Sequence, residues 1–477
     1  MVSFLRERVE IGERSSSLDE KRNDTLVFPP IIDRDILLDR NMRVNQVRLH
    51  GNYRTRPEVF ECELENTFHA RGINEIYKEV TFSTEKLANL EIFDAIDIKL
   101  DKSSNRDPHQ VDVVITVKEK DWKEFNLGVK TDGYDDSLEA SCVLINPLGT
   151  SEKFDFKSTY GWSGSHVESI SLMKPQFMGY PLYFSTAVFN DLQNHEKLSS
   201  YRESRRGSHI AINDQAERHK VLFKCDRRDI LPQRNRYLST AFCSSPNILA
   251  EAEPSTKTSV EYQFQMDSRD NPMMPSSGGL LRFSTEVAGL FADVRFLKSQ
   301  VEAQKHVTFG FGSQKAALSL SLLSHLGAMK STSSQSSMSR ISDRFFVGGP
   351  MSLRGFHYRG IGPRASPRDG GVASGDALGG DVFYTAAAFL GFPMPFSLHS
   401  LLGLRGQLFA NLGNVTNWQN VKVGSLRNLL SETRVAVGFG VVVPSTVGRM
   451  EASYSWILNA LRHDHISRGQ FGIGITF

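Results

Sequence analysis

The chain has 477 residues, with 56 lysines and arginines against 54 aspartates and glutamates, so its net charge is only +2. The length predicts two or more units, and the balanced charge gives no electrostatic support for nucleic-acid binding. Four cysteines, Cys62, Cys142, Cys225 and Cys243, lie far apart with no Cys-x-x-Cys pair, which favours neither a zinc site nor a disulfide framework.

Residues 1–40 are polar and mixed in charge and read as a disordered tail ending at Pro29-Pro30. The tail lacks the apolar core of a secretory signal, and Glu7, Glu10 and Glu13 are too many acids for a transit peptide. From Met42 the pattern changes. Val47 and Leu49 alternate with polar residues up to Gly51-Asn52, predicting a strand and a turn. Val59, Phe60, Leu64 and Phe68 then fall at helical spacing behind Pro57. Ile73, Ile76, Tyr77 and Val80 predict a second helix, with a fresh helix start at Ser83-Thr84-Glu85 before Leu87 and Leu90. Strands follow over 92–100 and around Val111, Val113, Ile115 and Val117, where Asp112 belongs to the polar face. Residues 41–120 therefore predict a small β-α-α-β-β unit of the α+β class.

From residue 123 to 477 helical periodicity gives way to period two. Val435, Val437, Phe439 and Val441 face one way and Ala436, Gly438 and Gly440 the other. Ala452, Tyr454 and Trp456 likewise alternate with Glu451, Ser453 and Ser455. No run of about 18 apolar residues exists, so a transmembrane helix is excluded. A barrel is not, because alternating strands average to a polar mean hydropathy, here −0.30. One apolar face and one small or polar face, strand after strand, suit a lipid-bathed barrel with a wet lumen. About 15 to 17 such segments are countable, with the region Tyr237 to Cys243 uncertain. The alternative is a soluble two-sheet protein, which would require a domain break that the sequence does not offer.

Three motifs lie in this half. Residues 345–362 form a glycine-rich run containing Leu353-Arg354-Gly355-Phe356, which predicts left-handed backbone and close approach to another surface. Asp267-Ser268-Arg269-Asp270-Asn271-Pro272-Met273-Met274-Pro275-Ser276-Ser277-Gly278 sits at a strand-to-turn junction. The chain ends Gln470-Phe471-Gly472-Ile473-Gly474-Ile475-Thr476-Phe477, one apolar face opposite one smooth face. Catalytic-looking fragments lack their contexts. Gly161 to Ser165 has no strand-turn-helix setting for a nucleophile, and Gly360 to Arg364 has no helix to hold a phosphate. His463-Asp464-His465 reads as a solvated hairpin. No catalytic residue, metal or cofactor is assigned.

The three motifs together resemble the outer-membrane barrel-assembly superfamily, most of all its mitochondrial branch. The resemblance implies an all-β transmembrane barrel of about 16 antiparallel strands over 123–477, with one N-terminal polypeptide-transport-associated (POTRA) domain at 41–120. It implies a loop at about 328–380 folded into the lumen and held by Leu353, Arg354, Gly355 and Phe356. Bacterial relatives place an aspartate at the position of Asn411, so Arg354 is expected to use a neutral acceptor there or another acid. In a wet lumen its loss should cost the fold only about 1 kcal/mol, with Asn411→Asp tolerated. Asp267, Arg269, Asp270, Pro272, Pro275 and Gly278 match a superfamily element at every fixed position and read as a structural charge network.

The same resemblance makes the C-terminus a β-signal, with Gln470, Gly472, Ile475 and Phe477 at its defining positions, and puts a lateral gate between this strand and the first one, at Phe125 and Val129. Cysteines at facing positions near Val129 and Gly472 are expected to close the gate with a disulfide and stop insertion while leaving the protein folded. The implied function is insertion and folding of β-barrel precursors, such as porins and the import channel, into the mitochondrial outer membrane without enzymatic chemistry. Implied partners are those precursors, metaxin-like accessory subunits of a sorting and assembly machinery, and outer-membrane lipid. The POTRA domain would face the intermembrane space. A polypeptide-conducting pore of the plastid-import or two-partner-secretion kind and a passive porin are the alternatives.

Overall fold

The computed structural model describes residues 42–103, 109–131, 135–234, 243–310, 317–332, 339–366, 375–394, 403–421, 432–445 and 448–474. The tail at 1–40, Ile475 and Phe477 lie outside them. Two sheets are present among the described residues. The first is three-stranded, β1 (Arg43–His50), β2 (Phe93–Lys102) and β3 (Gln110–Glu119), in the order β1-β3-β2. Its helices, Pro57–His69 and Ile73–Asn89, precede β2, so the element order is the expected β-α-α-β-β.

Two local expectations fail there. The second helix runs unbroken through Ser83, whose hydroxyl lies 3.2 Å from the Thr67 hydroxyl. A buried serine satisfied sideways by a partner helix does not cap, so the sequence signal was a packing feature. Asp112 is fully buried and accepts hydrogen bonds from Asn45 at 3.0 Å, Gln46 at 2.7 Å and Arg48 at 2.6 Å. Three donors replace the water it gives up, which is the condition for burying a carboxylate.

The second sheet has sixteen strands: β4 (Lys123–Thr131), β5 (Asp136–Ile145), β6 (Lys153–Gly161), β7 (His166–Lys174), β8 (Leu182–Asn194), β9 (Tyr201–Asp214), β10 (His219–Pro232), β11 (Ser255–Asp267), β12 (Gly278–Ala288), β13 (Phe296–Gly310), β14 (Ala317–Ser331), β15 (Val382–Pro393), β16 (Arg405–Thr416), β17 (Arg434–Ser445), β18 (Gly448–Asn459) and β19 (Gly469–Gly474). Each pairs antiparallel with its sequence neighbour. The end strands β4 and β19 lie side by side, which closes a barrel. Among the described residues no hydrogen-bonded ladder joins them.

Alternation places the apolar residues outside. Ile170, Val188, Leu322, Leu408, Phe439, Trp456 and Phe471 are exposed on the outer face, where hydrocarbon would cover them. The inward face carries Lys257, Ser259, Glu261, Gln407, Asn411, Glu451, Ser453 and Ser455, all buried. No described helix is long and apolar enough to cross a membrane.

Candidate functional site in the barrel lumen

Because strands alternate in direction, the connection between β14 and β15 leaves the barrel at the end opposite the start of β4. Instead of projecting outward, its described residues, 339–366 and 375–381, pack inside. Val347, Leu353, Phe356 and Ile361 are buried with Phe383, Val415 and Ala436 of the wall in one apolar cluster. The glycines that allow this path have φ of 127° at Gly348, 98° at Gly349 and 92° at Gly355. A Cβ on Gly355 would lie 2.5 Å from Ile457 Cδ1 and 3.2 Å from both Ala436 Cβ and Ser455 Cβ. Only glycine fits on both counts.

Arg354 emerges from this packing onto β18. Its Nε and Nη2 donate to the two carboxylate oxygens of Glu451, the latter at 2.8 Å. Its guanidinium lies 4.5 Å from the Phe389 ring centre and 5.6 Å from that of Phe409. The side chains are 3% and 2% exposed, so this is a dry, bidentate ion pair. Arg449 also donates to Glu451, at 3.0 Å, and to Gln407 at 2.7 Å. The expected partner is therefore another acid, and the expected partial solvation of Arg354 is contradicted: the apolar wall and the loop exclude water from it.

Asn411 does approach Arg354, but as a donor. Its Nδ2 hydrogen-bonds the Arg354 backbone carbonyl at 3.0 Å. An aspartate there would set acceptor against acceptor, which reverses the expected tolerance of Asn411→Asp. The substitution should cost about 1–3 kcal/mol, read as a lower urea midpoint for the purified barrel in lipid vesicles.

The loop segment also grips the last strand. Gln470 on β19 accepts from the Gly355 N–H at 3.0 Å and donates to the Phe356 carbonyl at 2.7 Å. Ser467 N–H donates to the Gly355 carbonyl and His357 N–H to the His465 carbonyl, each at 2.9 Å. Gly472 is buried beneath the loop, with the position of a Cβ 3.0 Å from Pro350 Cγ. Asp464, expected in a solvated hairpin, is instead buried and takes a two-point contact from Arg434, both hydrogen bonds 2.9 Å.

The opposite wall holds the loop through groups the sequence did not reveal. Arg359, at φ 54°, donates to the Tyr201 hydroxyl at 3.0 Å, and its Nη2 lies 3.1 Å from His195 Nε2. Burial, then the charges of Arg359 and Arg205, push the His195 pKa down to about 2, so the ring is neutral and accepts. Asp343 of the loop accepts from Arg228 at 2.8 Å, and Asp376 accepts from the Ser200 hydroxyl at 2.7 Å and the Ser245 N–H at 3.0 Å. Of the missed residues only Glu451 carried a signal, as the one acid of β18, on the face it shares with Ser453 and Ser455.

The remaining motif residues lie apart from the loop. In the turn between β11 and β12, Arg269 donates to Asp267 through Nε at 2.9 Å and Nη2 at 2.7 Å. Asp270 accepts from the backbone of Ser276 and Ser277 at 2.9 and 3.1 Å. Gly278, at φ 93°, leaves only 2.0 Å between a Cβ and the Ser268 carbonyl. Pro272 is exposed, whereas Pro275 is buried and lines a small lumenal cavity with Met274, Gln407 and Arg449. On β4, Phe125 and Val129 are exposed on the outer face. Val129 and Gly472 point to opposite faces, so the facing positions lie beside these two residues and not at them.

Among the described residues no group of histidine, cysteine and acidic side chains could hold a metal ion.

Residues 146–477 match the family model described as the Omp85 superfamily domain. Among curated proteins, the chain is 28% identical over 463 residues to the sorting and assembly machinery component 50 homolog of Homo sapiens, covering 94% of this chain and 93% of that protein. It is 26% identical over 450 residues to a SAM50-like protein of Schizosaccharomyces pombe, covering 91% and 90%. Among solved structures it is similar to BamA from Haemophilus ducreyi lacking POTRA domains 1–3, with a TM-score of 0.74 at 18% identity, covering 91% of this chain and 84% of that one. The similarity to CdiB from Acinetobacter baumannii is weaker, with a TM-score of 0.54 at 14% identity.

Proposed function

The chain belongs to the Omp85 superfamily, and from that membership we propose that it inserts and folds β-barrel precursor proteins in the mitochondrial outer membrane, by strand addition between β4 and β19. The observation that carries this reading is the gap itself: the end strands adjoin with no hydrogen-bonded ladder among the described residues. Lipid offers unpaired amides no partner, so an incoming strand that pairs at such an edge gains every hydrogen bond it forms. Exchanging one strand for a similar one is nearly isoenergetic and needs neither ATP nor catalytic residues, and the protein acts without enzymatic chemistry.

Substrates are precursors such as porins and the import channel, and metaxin-like accessory subunits complete the machinery. The N-terminal β-α-α-β-β unit is a POTRA domain facing the intermembrane space. A passive porin would explain the barrel but neither the N-terminal β-α-α-β-β unit nor the Leu353 to Phe356 segment with its dry Arg354–Glu451 contact.

With cysteine at Phe125 and a porin precursor bearing one cysteine in its last strand, a short bifunctional maleimide should join the two during insertion. Crosslinks that form equally at outward positions far from the gap, such as Val188 or Leu326, would refute strand addition here.

A further inference from the structure

We propose that the outer wall of the barrel carries a site for one anionic phospholipid, its phosphate held by Arg206 and Arg227 and an acyl chain lying in the groove beside them. The site is built on β6 to β10, not on β4 or β19, and does not depend on strand addition. Register is the first observation. Arg206 of β9 and Arg227 of β10 are direct cross-strand partners. Arg206 shares the parity of Ile210 and Ile212, and Arg227 that of Val221 and Phe223, all of them exposed, so both guanidinium groups belong to the outward face.

Two like charges directly opposite on one face of a sheet repel each other, and beside hydrocarbon that repulsion is screened less than in water. An anion between them reverses it. The protein itself supplies little of one. Arg206 Nε donates to Asn190 Oδ1 at 3.2 Å, a neutral acceptor whose Nδ2 donates to Glu168 at 3.4 Å, two strands from Arg206. Arg227 Nε lies 3.7 Å from Asp229 Oδ1, too long for a hydrogen bond, and its side chain is 65% exposed. Paired guanidinium groups are the donors that match the oxygens of a phosphate.

One rung farther from the barrel end at which the β14–β15 loop leaves, the outward row turns apolar. Phe156, Ile170 and Val188 follow one another across β6, β7 and β8, and Val188 pairs on to Ser208 and it to Cys225. With the two arginines they line a groove of about 940 Å³. That lies within the ~300–1,000 Å³ of pockets that take small ligands. A cationic rim beside an apolar trough complements an amphiphile with an anionic head. Free phosphate would leave the trough empty, and a choline headgroup would bring its own cation to the arginines, whereas an anionic glycerophospholipid suits both halves.

The test is native mass spectrometry of the full-length chain, loaded with phosphatidylglycerol, transferred to detergent and checked for heat-modifiable gel migration. Wild type should retain one lipid, and Arg206→Gln combined with Arg227→Gln should lower that occupancy at least about tenfold, the effect of losing charge-assisted hydrogen bonds. Should the double variant fail to fold, Arg227→Gln alone carries the test. Val188→Trp, which fills the trough, should lower retention with both arginines in place. Lys305→Gln, which removes an exposed lysine of β13, should leave it unchanged. Phosphatidylcholine should be retained less than phosphatidylglycerol, and inorganic phosphate should not displace the bound lipid.

Equal retention by wild type and the arginine variants, or an equal loss from Lys305→Gln, would overturn the proposal. So would unchanged retention by Val188→Trp, equal retention of the two lipids, or displacement by inorganic phosphate. Wild type that retains no phospholipid would leave the groove to an acidic protein partner and end the lipid reading.

Discussion

Glu451→Ala should destabilise the barrel by about 3–5 kcal/mol and remove most of its insertion activity, because it leaves two buried guanidiniums without their shared carboxylate. Arg354 and Arg449 converge on Glu451, with side chains 3% and 11% exposed. Arg354→Ala is the milder change. It leaves Glu451 still bonded to Arg449 at 3.0 Å, so the expected loss is about 1–3 kcal/mol.

The ordering is what discriminates. Urea unfolding of the barrel in vesicles should rank wild type above Arg354→Ala above Glu451→Ala, while insertion of a porin precursor falls sharply in both variants. If Arg354→Ala inserts precursor at the normal rate, the loop is only filler. If Arg354→Ala is the less stable of the two, Arg449 does not share the acid and the electrostatic account of the site is wrong.

Much of this architecture was legible in the chain. Alternation assigned Phe439, Trp456 and Phe471 to the outer face and Glu451, Ser453 and Ser455 to the inner one, because side-chain direction in a strand follows sequence parity alone. The glycine run at 345–362 required left-handed backbone, and Gly348, Gly349, Gly355 and Gly362 have it. β10 ends at Pro232, and of the region Tyr237 to Cys243 all but Cys243 lies outside the described residues.

The partner of Arg354 was not legible. Arg354 and Glu451 are 97 positions apart, and only the register of the barrel brings them together. The dryness around Arg354 was not legible for a related reason. Polar strand faces predict a wet lumen on average, whereas the rings of Phe389 and Phe409 cover the guanidinium and leave the side chain only 3% exposed. Parity also narrows the facing positions near Val129 and Gly472: Gly472 has the opposite parity from Phe471 and from the apolar face of β4, so Phe471 is the β19 residue on the Val129 side.

That parity fixes the design of the decisive experiment. Phe471 on β19 is 47% exposed on the outer face, as are Phe125 and Val129 on β4 at 74% and 48%, so cysteine at Phe471 combined with cysteine at Phe125, Leu127 or Val129 places both thiols on one side of the gap. Phe125 lies directly across the ladder from native Cys142, so the pairs are made in a Cys142→Ser background; a disulfide requires Cα atoms within about 7 Å, so one of the three pairs should oxidise readily and the others need a short crosslinker. With the gap covalently closed, the barrel should stay folded and membrane-inserted, precursor insertion should stop, and reduction should restore it. Unchanged insertion by fully crosslinked protein would contradict strand addition between β4 and β19.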